Sequence, residues 1–315
     1  MKNIILVFFV LLAYSCKTKA QKLKSVEEIS SNEIKEIVSF LAHDSLQGRD
    51  TGTEGIERAA LYIENYFKTH QVKPYYEDFR DSFEANGHDA FNVVGFIEGN
   101  DSNLKKEVIA IGAHYDHIGI VKEFKGDSIA NGANDNAAGT SAVLALAKQF
   151  SAKRTNKRSL LFVLFSAEEK GLLGSKHLAK KLKKEGLDLY TMVNFEMIGV
   201  PFKDRDYNAF VSGYEMSNMA TKINEYIGTK LIGFSKISKK YNLFRQSDNA
   251  AFYDVFKTPC HTISSCDLSN YDFYHHADDE TDKLDYEHMA SLINKIMPAI
   301  EMMSKTPIKE IKMYE

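Results

Sequence analysis

Four short segments of the 315-residue chain set acids and histidines at or just past the ends of apolar runs. His114 and Asp116 follow the run 108–113. Asp135 lies in Asn131-Gly132-Ala133-Asn134-Asp135-Asn136, directly before a helical pattern. Glu168 and Glu169 follow 160–165, and Glu196 stands in Asn194-Phe195-Glu196-Met197-Ile198-Gly199. Far downstream comes a fifth group, Tyr274-His275-His276. Zinc takes imidazole nitrogen and carboxylate oxygen, and its catalytic sites keep one position open for water. Two histidines and three carboxylates can hold two such ions if one carboxylate bridges them, clamping a hydroxide and a substrate oxygen. Two divalent ions bring four positive charges, which Asp135, Glu169, Glu196 and one hydroxide balance. Glu168 adjoins a ligand without being needed as one, and so is free to handle protons. Taken singly, each segment has a plainer reading: a hydrogen-bonded surface pair, an acidic helix start, a helix N-cap. Together they form one coherent donor set, and carboxylates beside apolar strands need partners.

The elements around these residues alternate between helix and strand. Ser30 with Glu33 can form a capping box, after which Ile34, Ile37, Val38 and Leu41 share one helical face. Ile56, Ala59, Ala60, Ile63 and Phe67 repeat that spacing. Short β-rich runs follow at 91–97, 108–113, 160–165 and 189–195, with helical stretches at 137–150, 172–182 and 286–303. Near-continuous apolar strands separated by helices predict an α/β fold, with a mixed, mostly parallel central sheet covered on both faces. In such sheets sites gather where strands end.

Composition sets the outer limits. Hydrophobic residues at 44% and charged residues at 26% give a globular chain with a substantial core. A net charge of −3 offers no broad basic field for nucleic acid. Five prolines and no Pro/Gly-rich linker after residue 30 argue for one domain over 30–305, with a tail at 306–315. The N-terminus reads as an export signal: Lys2 precedes an apolar run too short to span a bilayer, closed by Ser15-Cys16. This resembles a bacterial lipoprotein signal over 1–16 in which Cys16 carries the lipid, although Ala13 stands where Leu is usual. A polar tether at 17–29 follows. The expectation is an exported monomer, periplasmic or held to the membrane only through Cys16. Cys260 and Cys266 can pair in an oxidising compartment or remain buried thiols.

Several runs are similar to the exported zinc-dependent aminopeptidase family of the MH clan, which includes glutamate carboxypeptidases and glutaminyl cyclases. They are Gly112-Ala113-His114-Tyr115-Asp116-His117, Gly132-Ala133-Asn134-Asp135-Asn136-Ala137-Ala138-Gly139, Phe165-Ser166-Ala167-Glu168-Glu169-Lys170-Gly171-Leu172-Leu173-Gly174-Ser175, Asp282-Lys283-Leu284-Asp285, and upstream Leu46-Gln47-Gly48-Arg49-Asp50-Thr51-Gly52. The resemblance implies a zinc exopeptidase fold and two Zn2+ ions, Co or Mn being alternatives. It implies that His114 and Glu196 hold one metal, Glu169 and His275 the other, and that Asp135 bridges them. Asp116 would fix the ring of His114. Glu168 would be the general base for a metal-bridging hydroxide, and Tyr274 would donate to the developing oxyanion. A cis peptide at Asp135-Asn136 is also implied. The substrates would be peptides with a free N-terminus.

Three features depart from the family. Glu196 replaces the usual Asp, the segment 121–127 adds a charged loop at the cleft rim, and His276 sits where Thr is common. His117, His177 and His261 are read as structural or surface residues. Phe244, Arg245 and Tyr271 are candidates for the specificity pocket. Carboxypeptidase or dipeptidase action shares the same metal core. Glutaminyl cyclisation ranks lower, because that branch uses one zinc and Trp side chains and this chain has no Trp. A non-catalytic binding domain ranks lower too, since the donor set and its base are complete.

Overall fold

The computed structural model describes residues 27–315, so the expected signal, Cys16 and most of the tether lie outside the described residues. Ser30 caps α1 (Ser31–Leu41), accepting from the N–H of Glu33, and Thr53 caps α2 (Glu54–Thr69) in the same way. The strands β1 (Lys73–Pro74), β2 (Arg80–Ala85) and β3 (His88–Ile97) precede β4 (Glu107–His114). A hairpin of β5 (Ile120–Phe124) and β6 (Asp127–Ile129) comes next, where a loop was expected. Then follow α3 (Gly139–Lys153), β7 (Ser159–Phe165), α4 (Leu173–Lys184) and β8 (Asp188–Phe195). The last third holds β9 (Ala209–Val211), α5 (Met219–Ile227), β10 (Ile232–Gly233), α6 (Lys236–Lys240), α7 (Asn249–Phe256), β11 (Cys260–Ser264) and α8 (Tyr286–Lys305).

Nine strands form one sheet in the order β1-β3-β7-β4-β8-β11-β9-β10, with β2 on β3. Its centre, β7-β4-β8-β11, is parallel, while β3 on β7 and β9 on β11 are antiparallel. The mixed, two-faced α/β domain is therefore as predicted. Alternation divides the core: Ile109, Ile111, Leu160, Phe162 and Leu164 face the larger cluster, packed with residues of α1, α2, α3, α5 and α8. Val108, Ala110, Leu161, Val163 and Phe165 face the other, with residues of α4 and α7. Among the described residues no helix is long and apolar enough to cross a membrane.

Both expected domain limits move outward. Ile29 is buried and exchanges two hydrogen bonds with Asn294, and the carbonyl of Glu27 accepts from Gln149. At the other end Ile311 is buried with its N–H on the Tyr190 hydroxyl, and buried Arg158 holds the carbonyl of Thr306. The residues 27–29 and 306–315 are thus parts of the domain, because each buries apolar side chain that free chain would leave in water. Cys260 and Cys266 are buried free thiols.

Candidate metal centre

The four central strands run the same way, so their C-terminal ends share one edge. His114 is the last residue of β4, and Glu196 follows β8 directly. Glu168 and Glu169 come just after β7, and the segment past β11 returns with His275. Asp135 enters between β6 and α3, in a loop that side chains of its own stitch to the Glu196 turn. Asn136 donates to the carbonyl of Phe195 and accepts from the N–H of Met197 and of Gly139. Asn134 accepts from the N–H of Gly199 at 2.8 Å. The peptide Asp135-Asn136 is cis, as the resemblance implied. Ala167, Met197 and His275 have φ near +50°, a left-handed strain of order 1 kcal/mol each, beside or at the candidate ligands.

The five expected ligands converge. Asp135 Oδ1 lies 3.2 Å from His114 Nε2, and its Oδ2 lies 3.4 Å from His275 Nε2. His275 Nε2 is also 3.0 Å from Glu169 Oε2. Donor atoms of His114, Asp135 and Glu196 all lie within 4.8 Å of one another, as do those of His114, Glu168 and Glu169. His276 turns away: its Nδ1 accepts from the N–H of Asp278, and its ring meets Phe124 of the hairpin. Tyr274 stacks on the His275 ring, centroids 3.9 Å apart, and is partly exposed at the cleft.

Asp116 meets His114 through its backbone rather than its side chain. His114 Nδ1 is 3.2 Å from the backbone carbonyl of Asp116 and 3.7 Å from its carboxylate. The carboxylate instead accepts from the N–H of Glu168 at 3.2 Å and of Glu169 at 3.3 Å, fixing the turn that carries both. Arg49, from the upstream motif, is fully buried and donates to the carbonyls of Leu41, Tyr115, Asn131 and Gly132. It thereby ties the end of β4 to the Asp135 loop. Asp279 clamps the same loop, its carboxylate accepting from the N–H of Asn134 and of Asp135 and from the Tyr271 hydroxyl.

Acidic groups crowd this edge and are largely buried. Burial pushes Glu168, Glu196 and Asp248 upward, and their acidic neighbours add to it. Burial acts in the same direction on Asp135, but bonding to His114 and His275 outweighs it and holds that carboxyl well below the usual range. Burial would lower His275, yet Asp135 and Glu169 raise it to about 10. Among the described residues His114 Nε2, Glu196 Oε2 and both carboxylate oxygens of Asp248 are buried with no hydrogen-bond partner. Unpaired inward lone pairs in an acidic imidazole–carboxylate set fit divalent transition ions.

Sequence reasoning missed four residues here: His117, Asp248, Asp279 and the clamping role of Arg49. His117 is fully buried against Glu169 and is no surface residue. The pocket beside Glu196 and Tyr274 was also misjudged. It is lined by Met197, Phe210, Leu243, Gln246 and Leu268 among others. Phe244 packs on Tyr253 and His261, Arg245 pairs with Asp254 in solvent, and Tyr271 binds Asp279. His261 is the structural residue expected, and His177 is partly exposed beside Asp81.

The profile of Peptidase family M28 matches residues 92–299. A "Probable leucine aminopeptidase" of Trichophyton verrucosum is 30% identical over 228 residues, covering 69% of this chain and 57% of that protein. The structure of BSAP, a zinc aminopeptidase from Bacillus subtilis, is similar at TM-score 0.69 and 15% identity, covering 91% and 98% of the two chains. A glutaminyl cyclase from Porphyromonas gingivalis is similar at TM-score 0.68 and 11% identity, covering 87% and 99%. At these identities the two structures share the fold, and the chain spans little more than half the length of the Trichophyton relative.

Proposed function

Since the chain belongs to Peptidase family M28, we propose that it is a two-zinc exopeptidase, an aminopeptidase that trims peptides from a free N-terminus. One observation carries this reading: Asp135 turns one oxygen toward His114 and the other toward His275, at 3.2 and 3.4 Å. His114 and Glu196 would hold one ion, His275 and Glu169 the other, with Asp135 shared. Bound zinc supplies Lewis acidity, polarising a carbonyl and acidifying water.

The chain's own groups do the rest. Glu168, held by the Asp116 carboxylate through its backbone N–H, takes a proton from the attacking water and returns it to the leaving amine. Tyr274, flat on His275 and open to the cleft, donates to the oxygen of the scissile carbonyl as charge builds there. The N-terminal side chain enters the pocket that Met197, Phe210, Leu243 and Leu268 line together with the polar Ser212, Gln246, Ser247, Thr262 and Ser264, and whose one charged lining residue is Glu196. Neutral side chains are therefore favoured over acidic ones.

The test is a panel of amino-acid p-nitroanilides and N-blocked peptides, with and without chelator. Chelator-sensitive cleavage of unblocked neutral substrates supports the reading, and cleavage of blocked peptides at their C-terminus would replace it with a carboxypeptidase. In the same assay Glu168→Gln should lose about 10²–10⁴-fold in kcat with its zinc retained. Full turnover by that variant would remove Glu168 as the base. Export and lipidation at Cys16 belong to the same proposal, and the mass of the mature N-terminus decides them.

A further inference from the structure

His117 lies two residues beyond Asp116 and takes no part in the reading above. Its ring is buried, with Nδ1 3.0 Å from Glu169 Oε1 in hydrogen-bonding geometry and 3.9 Å from Asp135 Oδ2. The backbone N–H of His117 donates to the carbonyl of Arg49 at 3.3 Å. Gly132, at φ +59°, lies against the ring, and a Cβ there would stand 2.6 Å from Cγ and Cδ2. The ring is thus held from behind and aimed at Glu169. Its Nε2 is buried with no hydrogen-bond partner among the described residues.

These contacts select a tautomer. A proton on Nε2 would leave a buried N–H without an acceptor and turn the Nδ1 lone pair toward a carboxylate oxygen, two penalties at once. A proton on Nδ1 makes a charge-assisted bond to Glu169 and leaves only an unshared lone pair at Nε2. The same geometry argues against His117 as a direct ligand. A metal on Nδ1 must lie about 2 Å out along the direction of its in-plane lone pair. The oxygen of Glu169 already occupies that direction.

We propose that His117 is a positioning residue for the second metal: it donates Nδ1–H to Glu169 Oε1 and so holds Oε2 toward His275, 3.0 Å away. The proposal rests on the two-zinc reading. Without that donor the carboxylate can rotate and present either oxygen, and outer partners of this kind typically contribute ten- to hundredfold in metal affinity.

The experiment is competitive zinc titration against a chromophoric chelator, with urea unfolding of each metal-free protein as the folding control. It compares the wild type with His117→Asn, His117→Gln and His117→Leu. Asn sets an amide N–H close to where Nδ1 stands, Gln reaches past it, and Leu offers no donor. Leu and Gln should weaken one of the two zinc affinities about ten- to hundredfold and leave the other alone, with Asn close to wild type. If Leu titrates like wild type, His117 only packs and the proposal is wrong. If Asn loses as much as Leu, the ring nitrogen itself ligates, and the proposal is wrong in a different way. Should Leu fail to fold, the contrast of Asn with Gln decides alone. A wild type that holds one ion removes the two-zinc reading, and His117 is then judged by whether that ion follows the same contrast.

Discussion

Among the five expected ligands Asp135 alone faces a histidine of each metal position, His114 with one oxygen and His275 with the other. Its replacement by Ala should therefore empty both positions where loss of any other ligand weakens one. Metal analysis of Asp135→Ala is expected to find well under one ion per chain, and two remaining ions would show that the carboxylate is not shared. His114, Asp135, Glu169, Glu196 and His275 were legible because each follows an apolar strand or belongs to a recognisable run. His117 was not, since its partner Glu169 lies 52 positions on and a lone histidine gives no hint of its contacts. Asp248 and Asp279 stayed hidden for the same reason: their neighbours come from other elements.

At the scale of elements, the central strands were readable from their continuous apolar runs, and α1 and α2 from spacing and caps. The region 200–264 was not, since β9 and β10 are three and two residues long and α6 is five, too short for any period to show. Two buried side chains hold elements together here, and each gives a prediction. Arg49 binds four carbonyls from the α1 end, the β4 end and the Asp135 loop; burial pulls its pKa down to about 10 against the acids around it. Arg49→Met should lower urea stability by about 3 kcal/mol or more, because buried carbonyls lose their donors. An unchanged midpoint would show that water replaces the guanidinium. His261 in β11 donates Nδ1–H to the carbonyl of Ser212 and accepts from Ser217, and burial lowers its pKa to about 4. The unfolded state, near 6.5, then binds the proton more tightly, so the stabilisation is complete above pH 6.5 and is lost as pH falls towards 4. At most about 3 kcal/mol is at stake. Urea midpoints between pH 7 and 4 should fall less steeply in His261→Gln than in wild type, and identical slopes would exclude the histidine as the cause.

For the whole molecule, the sheet order gathers candidate ligands from distant parts of the chain. Residues 114, 135, 169, 196 and 275 meet only after β4, β7, β8 and β11 lie side by side, with β4 at the heart of that arrangement. An unfolded chain offers nothing comparable to a cation, so zinc at a hundred times its dissociation constant should add about 3 kcal/mol to stability for each ion bound. Thermal melts with and without chelator measure this, and coincident melts would mean that the fold does not depend on its ions. If the metal-bound protein melts higher, the supply of metal governs the survival of the polypeptide as well as its turnover. Under zinc starvation the loss would be visible first as degraded protein, before any pool of idle enzyme accumulated.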